Sequence, residues 1–454
     1  MKLTRLLPLV VFLAFQLTAQ AAGLDALLES EAVWKQNADA FMGDFQPLGF
    51  AFVDGKKMAK SSRPELKFLD FKVWEARVFF EQEALSRVEL SLYNKGDAGE
   101  LDQEAFKELL TKVDEAISAF AGSKGMTGKT SNDRANYYVN RRQWAKKPVG
   151  IQVEWAFVNP HRSDRQLMPF RAEFVKVLLV PAKEGGMTAV TSGAPTWANN
   201  ATARTVKVNV KSNPEGDVWV DNVPMVDQGQ KGYCAAASSE RLLRYYGRQV
   251  DQHEIAQLAD TASKGGTSLD GMVSALDAVG KKYQLDQKDL IRSDNGRSFE
   301  KSKFYEMIEL YNRQAKQKRK ATINFEDFAE TTGPNMRTID TMKIYAAMDS
   351  ETLKESKVRQ AQGLESFRKN IIQYTTQGVP IVWACVVGKY PEKPDLGREG
   401  AFGHIRLIIG YNAKTQEVLY SDSWGRGHEL KRLPLGEAWT MTFGLTVLKP
   451  RDIR

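Results

Sequence analysis

The stretch Gln228-Gly229-Gln230-Lys231-Gly232-Tyr233-Cys234-Ala235-Ala236-Ala237-Ser238 decides how this chain is read. After Cys234 the residues Ala235-Ala236-Ala237-Ser238-Ser239-Glu240-Arg241-Leu242-Leu243 suit a helix, and Gly247 ends it, so a helix is expected over 234–246. Gly229 and Gly232 permit a tight turn with close backbone approach just ahead of it. A cysteine that opens a helix lies in the field of unpaired backbone amides, worth about half a positive charge, and that field favours the thiolate. The backbone amide of Cys234 and the side-chain amide of Gln228, six residues earlier, are candidate donors to a developing oxyanion. Taken alone, the same residues also describe a plain loop glutamine and a buried helix thiol.

A partner for the thiol is sought among four histidines: His161, His253, His404 and His428. His404 follows Gly403 and opens a strand, and Asp422 lies 18 residues later, beyond the turn-like Asn412-Ala413-Lys414-Thr415. In a hairpin whose turn centres near 413, His404 and Asp422 face each other on the same side of the ladder. An acid there fixes the imidazole tautomer and stabilises its charged form. The Ser423-Trp424-Gly425 that follows brings an indole able to cover the contact from water. A hairpin His–Asp pair is equally compatible with a structural hydrogen bond.

In combination these segments resemble the papain-like cysteine peptidases. The segment from Gln228 to Ser238, with its lead-in Val223-Pro224-Met225-Val226-Asp227, is similar to that family's active-site segment, in which a glutamine six before the cysteine completes the oxyanion hole. His404 and the later Asp422-Ser423-Trp424-Gly425 resemble the family's histidine strand and its Asn-Ser-Trp-Gly segment. Gly378-Val379-Pro380 before His404, and the order His, Gly-Tyr, Asp, resemble the bacteriocin-processing (double-glycine) branch. The resemblance spans residues 221–450 of the sequence. It implies a papain-like fold and peptide-bond hydrolysis, with Cys234 as nucleophile, His404 as base and then acid, Asp422 orienting His404, and Gln228 joining the Cys234 amide at the oxyanion. It implies a peptide or protein substrate and neither cofactor nor metal. Three features depart from the pattern. Asp422 replaces the commoner asparagine; Lys231 and Ala235 stand where many members have a disulfide cysteine and a tryptophan; and residues 281–362 exceed what the simplest members need, enough for a lid or a specificity pocket. Acyl transfer to an amine would use the same residues, and an inactive papain-fold binding module would keep the fold without the chemistry.

The rest of the chain frames this site. Its 454 residues exceed one ordinary core and predict two domains. Apolar residues at 42% and charged residues at 26% are the balance of a globular protein, and after the opening residues no stretch is long and apolar enough to span a bilayer. Residues 1–22 read as a signal peptide: Lys2 and Arg5, an apolar stretch over 6–15, then Ala19-Gln20-Ala21 as a cleavage site. Export to the periplasm or the medium is therefore expected, with an uncleaved N-terminal anchor as the alternative. The chain has two cysteines, so one disulfide is arithmetically open. Cys385 lies in Pro380-Ile381-Val382-Trp383-Ala384-Cys385-Val386-Val387 and reads as a free thiol in a buried strand. The net charge is +8, and its densest run, Arg313-Gln314-Ala315-Lys316-Gln317-Lys318-Arg319-Lys320, reads as a solvated helix face rather than a nucleic-acid patch. The basic balance is compatible with association with an anionic envelope.

The fold class expected is α+β throughout. A separate α+β N-terminal domain is expected over 23–182, with strands near 48–53, 88–92, 151–157 and 170–180. Its helix, over 102–121, carries Phe106, Leu109, Leu110, Val113, Ile117 and Phe120 on one face. No nucleophile–base pair occurs there, so the domain is expected to fold by itself and to serve targeting or access to the cleft. Residues 183–219, punctuated by Gly, Pro and Asn, read as a linker with one strand near 206–210. The papain-like domain is expected over 220–454: helices near 252–259, 268–279, 304–319 and 363–373, then strands near 379–387, 404–410 and 417–421. Helices first and an antiparallel sheet later describe a segregated α+β domain.

Overall fold

The computed structural model describes residues 23–182 and 206–453, apart from 55, 83, 129–130, 135–136, 164–165, 229–232, 249, 251–254, 257–268, 292–301, 334–335, 396–399 and 452. The signal-like residues 1–22, residues 183–205 of the linker, and Gly229 and Gly232 of the glycine turn lie outside the described residues, as does most of the helix expected near 252–259.

Alternating apolar residues build an antiparallel sheet in the first half. Its strands are β1 (Ala51–Asp54), β2 (Met58–Ser61), β3 (Glu75–Glu81), β4 (Ala84–Asn94), β5 (Tyr137–Lys146), β6 (Val149–Val158) and β7 (Arg171–Pro181). They lie in the order β1-β2-β3-β4-β7-β6-β5, extended at the β5 edge by the short strands Met126–Thr127 and Ser131–Arg134. The longest helix of this half, α1 (Gln103–Ala121), packs on this sheet. The Asp102 carboxylate accepts from the Ala105 amide at 2.8 Å to start it, and Gly122, at φ 71°, ends it in the left-handed conformation that a glycine takes without penalty. Phe106, Val113 and Ile117 are buried beneath it, with Ala76, Val78, Val88 and Leu90 in the same core.

The second half is an α+β unit on a second antiparallel sheet. Its elements include β8 (Val210–Ser212), β9 (Asp217–Val220), α2 (Cys234–Tyr245), α3 (Leu269–Lys282), β10 (Leu285–Ile291), α4 (Lys303–Gln317), α5 (Ala361–Thr375), β11 (Ile381–Val387), β12 (Phe402–Asn412), β13 (Glu417–Ser421), β14 (Lys431–Pro434) and β15 (Thr442–Pro450). The strand order is β8-β9-β12-β11-β15-β10, with β13 joining β12 to β14. The apolar run of β11 is buried along its whole length, and α2 and α5 pack on β12. Met307, Ile308, Tyr311, Ile344, Tyr345 and Leu353 form a satellite core in the long stretch after β10, in contact with Val386 of β11.

Two features of this unit depart from the expectation. Of the stretch 183–219 read as linker, the end pairs into the sheet, and the strand expected near 206–210 lies instead at β8 and β9, because Asp217 is held by Asn412 at 2.8 Å and by Arg432 at 3.1 Å. The sheet is also not wholly C-terminal to the helices, since β10 comes between α3 and α4. As an edge strand, β10 needs little apolar character, and its residues Leu-Asp-Gln-Lys-Asp-Leu-Ile hide it in the sequence.

The two units are docked. One face of β3 supplies Ala76, Val78 and Phe80 to the first core, while Glu75, Arg77 and Phe79 alternate onto the other face, where Arg77 and Phe79 meet α2. The Lys60 ammonium lies 3.1 Å from Glu75, Arg77 pairs with Glu89 at 2.6 Å, and its guanidinium also lies 3.8 Å from Glu240 of α2. Arg244, one turn after Glu240, lies 3.6 Å from it and packs on Met58 and Phe79. Lys60, Glu75, Arg77 and Glu240 are all buried. The expectation of a unit joined only through a linker misses this contact: a strand with one polar face looks the same whether that face meets water or a charged helix.

Candidate active site

Cys234 is the first residue of α2, and Tyr233 before it offers the helix no side-chain cap. The sulfur thus lies at the positive end of the helix, buried, with 4% of the residue exposed. His404 on β12 and Asp422 just beyond β13 meet it from the sheet. His404 Nε2 lies 2.6 Å from Asp422 Oδ1, which leaves Nδ1 for the hydrogen bond between His404 and Cys234. Burial alone would lower the His404 pKa. The Asp422 carboxylate, the hydrogen bond to it and the bond to Cys234 together outweigh burial and raise the pKa to about 9. Burial likewise opposes ionisation of Asp422, but Arg406 and His404 hold its carboxyl well below the usual range. Trp424 stacks on the imidazole, with ring centroids 4.2 Å apart and planes 9° from parallel, so one face of the ring is shielded and its tilt fixed.

The register brings Asp422 to His404 by a different route from the one expected. The hairpin turns at 413–416, a bulge falls between Ile408 and Gly410, and Leu407 pairs with Ser421. Continued, that register sets Asp422 level with Arg406, and Asp422 reaches His404 diagonally. Arg406 Nε lies 2.8 Å from Asp422 Oδ2. The other arm of the guanidinium forks onto Glu392 with two bonds of 2.9 Å. Glu392 also accepts from Tyr420 at 2.7 Å and pairs with Lys431 at 2.8 Å. The side chains of Arg406, Asp422, Glu392 and Lys431 have no solvent exposure. A buried carboxylate flanked by two cations is stably ionised; without them it would be strongly disfavoured.

Gln228 is placed by Ser423. The Gln228 amide donates to the Ser423 carbonyl at 2.8 Å, and the Ser423 hydroxyl donates to Gln228 Oε1 at 2.7 Å. With its oxygen so engaged, the carboxamide turns its NH2 end the other way. Arg241, two helical turns after Cys234, ties the whole arrangement together. It donates to the Pro224 carbonyl at 2.8 Å, to the Asp422 carbonyl at 2.7 Å and to the Ser421 hydroxyl. Burial lowers its pKa to about 10, which Asp422 opposes, so it is still a cation at neutral pH.

Reading the sequence brings out Cys234, His404, Asp422 and Gln228 but not Arg406, Glu392, Lys431 or Arg241. A signal for two of them exists. Arg406 interrupts an apolar strand two residues after His404, hence on the same face, and Arg241 lies seven residues after Cys234 on one helix face. Cys385, paired across the ladder from His404, is a free thiol, fully buried, and burial pushes its pKa far up. His428 gives its carbonyl to the Asp422 amide at 2.9 Å, whereas His253 lies outside the described residues. Among the described residues no group of His, Cys, Asp and Glu side chains is arranged to hold a metal.

Comparison with known proteins bears on the same half. A family model described as the Peptidase C39 family matches residues 222–308, which include Gln228 and Cys234. A second, described as Peptidase_C39 like family, matches residues 304–443, which include His404, Arg406 and Asp422. No curated protein matches the chain.

Proposed function

We propose, starting from the membership of the second half of this chain in the C39 family of cysteine peptidases, that Cys234, His404, Asp422 and Gln228 hydrolyse peptide bonds. The observation that carries this is the contact of His404 with both Asp422, at 2.6 Å, and the thiol that opens α2. The Cys234 thiolate attacks the carbonyl carbon, and the C=O electron pair moves to oxygen, held by the Cys234 amide and Gln228 Nε2. The C–N bond then breaks as His404 gives its Nδ1 proton to the leaving amine, and a thioester remains. Water attacks the thioester, His404 takes its proton, and the C–S bond breaks to restore the thiolate. Asp422 holds the ring through both halves. Arg406 offsets the charge of Asp422, so an aspartate serves where a neutral asparagine is the commoner choice.

The test is turnover of a mixed peptide library. Cys234→Ala should abolish cleavage while circular dichroism and melting stay unchanged; cleavage that persists would sink the mechanism. Added amine nucleophile should give little product beside the hydrolysis product, whereas mainly amide product would make the enzyme a transferase. Export belongs to the same reading, supported by Lys2, Arg5, the apolar stretch over 6–15 and Ala19-Gln20-Ala21. N-terminal sequencing of the periplasmic or medium fraction should begin at Ala22 or Gly23, and recovery only from the cytosol with Met1 intact would refute it. No helix among the described residues is long and apolar enough to cross a membrane.

A further inference from the structure

The peptide unit between Asp227 and Gln228 is held at both ends, and the two holders come from different halves of the chain. Its N–H donates to the Ser423 carbonyl at 2.8 Å, from the peptidase sheet. Its C=O accepts from Lys60 Nζ at 3.0 Å, from β2 of the N-terminal sheet. Lys60 is only 7% exposed and is itself fixed by Glu75 at 3.1 Å, with the Asp227 carboxylate 3.8 Å away. A charge-assisted bond to a carbonyl away from water is among the stronger hydrogen bonds a protein makes. Beyond residues 229–232 the N-terminal unit takes hold again. Gly96 packs so closely on Tyr233 that a Cβ there would lie 2.8 Å from its ring, and Tyr233 directly precedes Cys234. The segment that carries both Gln228 and Cys234 is thus gripped at Asp227 and at Tyr233 by residues far outside the peptidase half.

We infer that the N-terminal unit completes the oxyanion site, with Lys60 as a positioning residue for Gln228. This rests on the catalytic reading above and assigns to the first half of the chain a part in the reaction rather than in targeting alone. The Cys234–His404–Asp422 contacts lie wholly within the second half, so loosening Lys60 should slacken the oxyanion donor and leave the thiol–imidazole pair as it is.

The test uses the full mature chain carrying Lys60→Met, with Lys60→Met/Glu75→Met as a companion that also removes the buried carboxylate Lys60 pairs with. In whichever of these folds, kcat on a peptide amide should fall about tenfold, short of the ~10²–10³ loss for removal of an oxyanion donor. KM should stay within about twofold, and the pH profile of Cys234 alkylation by iodoacetamide should not move, because alkylation needs no oxyanion donor. Lys60→Arg, which keeps a charged donor, should recover most of kcat. Unchanged kcat in a Lys60→Met enzyme that still requires Cys234 overturns this inference alone. Alkylation and turnover that fall together, or failure of both variants to fold, overturn it in favour of a purely structural role. Turnover that survives Cys234→Ala removes the catalytic reading itself, and this inference with it.

Discussion

At the scale of single residues, the most telling choice is the acid beside His404. Asp422 brings a second anion into a site that holds a thiol, and the chain answers with Arg406, 2.8 Å away, which Glu392 holds, itself paired with Lys431. In the mechanism proposed above, the acid's task is then mainly to orient the ring. Asp422→Ala should lower kcat/KM by ~10²-fold, whereas Asp422→Asn, which still accepts from Nε2, should lower it less than about tenfold. Equal and complete loss in both would show that the charge itself is needed. The pH profile follows from His404, whose pKa rises to about 9 against burial because of Asp422 and Cys234. A raised folded pKa means that the imidazolium's contribution to stability is full below the unfolded value of about 6.5 and is lost as pH climbs from there through about 9. The alkaline limb of kcat/KM should lie near 9 and move down in Asp422→Ala, where burial acts without the carboxylate; a limb near 6.5 in the wild type would contradict the ion-paired site.

At the scale of elements, periodicity and caps carry most of the fold. The helix at Gln103–Ala121 shows in Asp102, the apolar stripe and Gly122, and β11 shows in its unbroken apolar run. The reading fails where a partner far along the chain decides. The bulge between Ile408 and Gly410 shifts the hairpin register, yet Asp422 still reaches His404 because Arg406 and Arg241 draw its strand in. The strands at 210–220 escape notice because Asn213, Pro214 and Gly216 look like linker while Asn412 and Arg432 lie some 200 residues away. The four catalytic candidates are legible because their chemistry is written in motifs. The cations that support them are not, because a buried arginine is recognised only by what it touches. The same holds for Arg77 and Glu240, whose meeting has no local signature. Arg77→Ala removes the guanidinium that lies 3.8 Å from Glu240 and takes from Glu89 its 2.6 Å partner. It should cost about 3 kcal/mol in denaturant unfolding, and a loss below about 1 kcal/mol would mean that the docked face is solvated.

At the scale of the whole molecule, two antiparallel sheets face each other across α2, the helix that begins at Cys234. A linker punctuated by Gly and Pro suggests two bodies that move apart, but the charges buried between β2, β3 and α2 hold them together. A protease site inserted between residues 183 and 205 provides the check. After cleavage the two fragments should co-elute on gel filtration and keep their turnover. Fragments that separate at micromolar concentration, or a rise in turnover on cutting, would make the N-terminal unit a removable inhibitor instead. The proposed chemistry depends on one pairing, the thiol of Cys234 with the imidazole of His404. The most direct measurement is mass-spectrometric mapping of the full chain after treatment with a thiol-reactive peptide electrophile at neutral pH. The adduct should fall on Cys234 and not on Cys385, and His404→Ala should slow its formation at least about a hundredfold. An adduct on Cys385, or labelling of Cys234 at the same rate without His404, would contradict it.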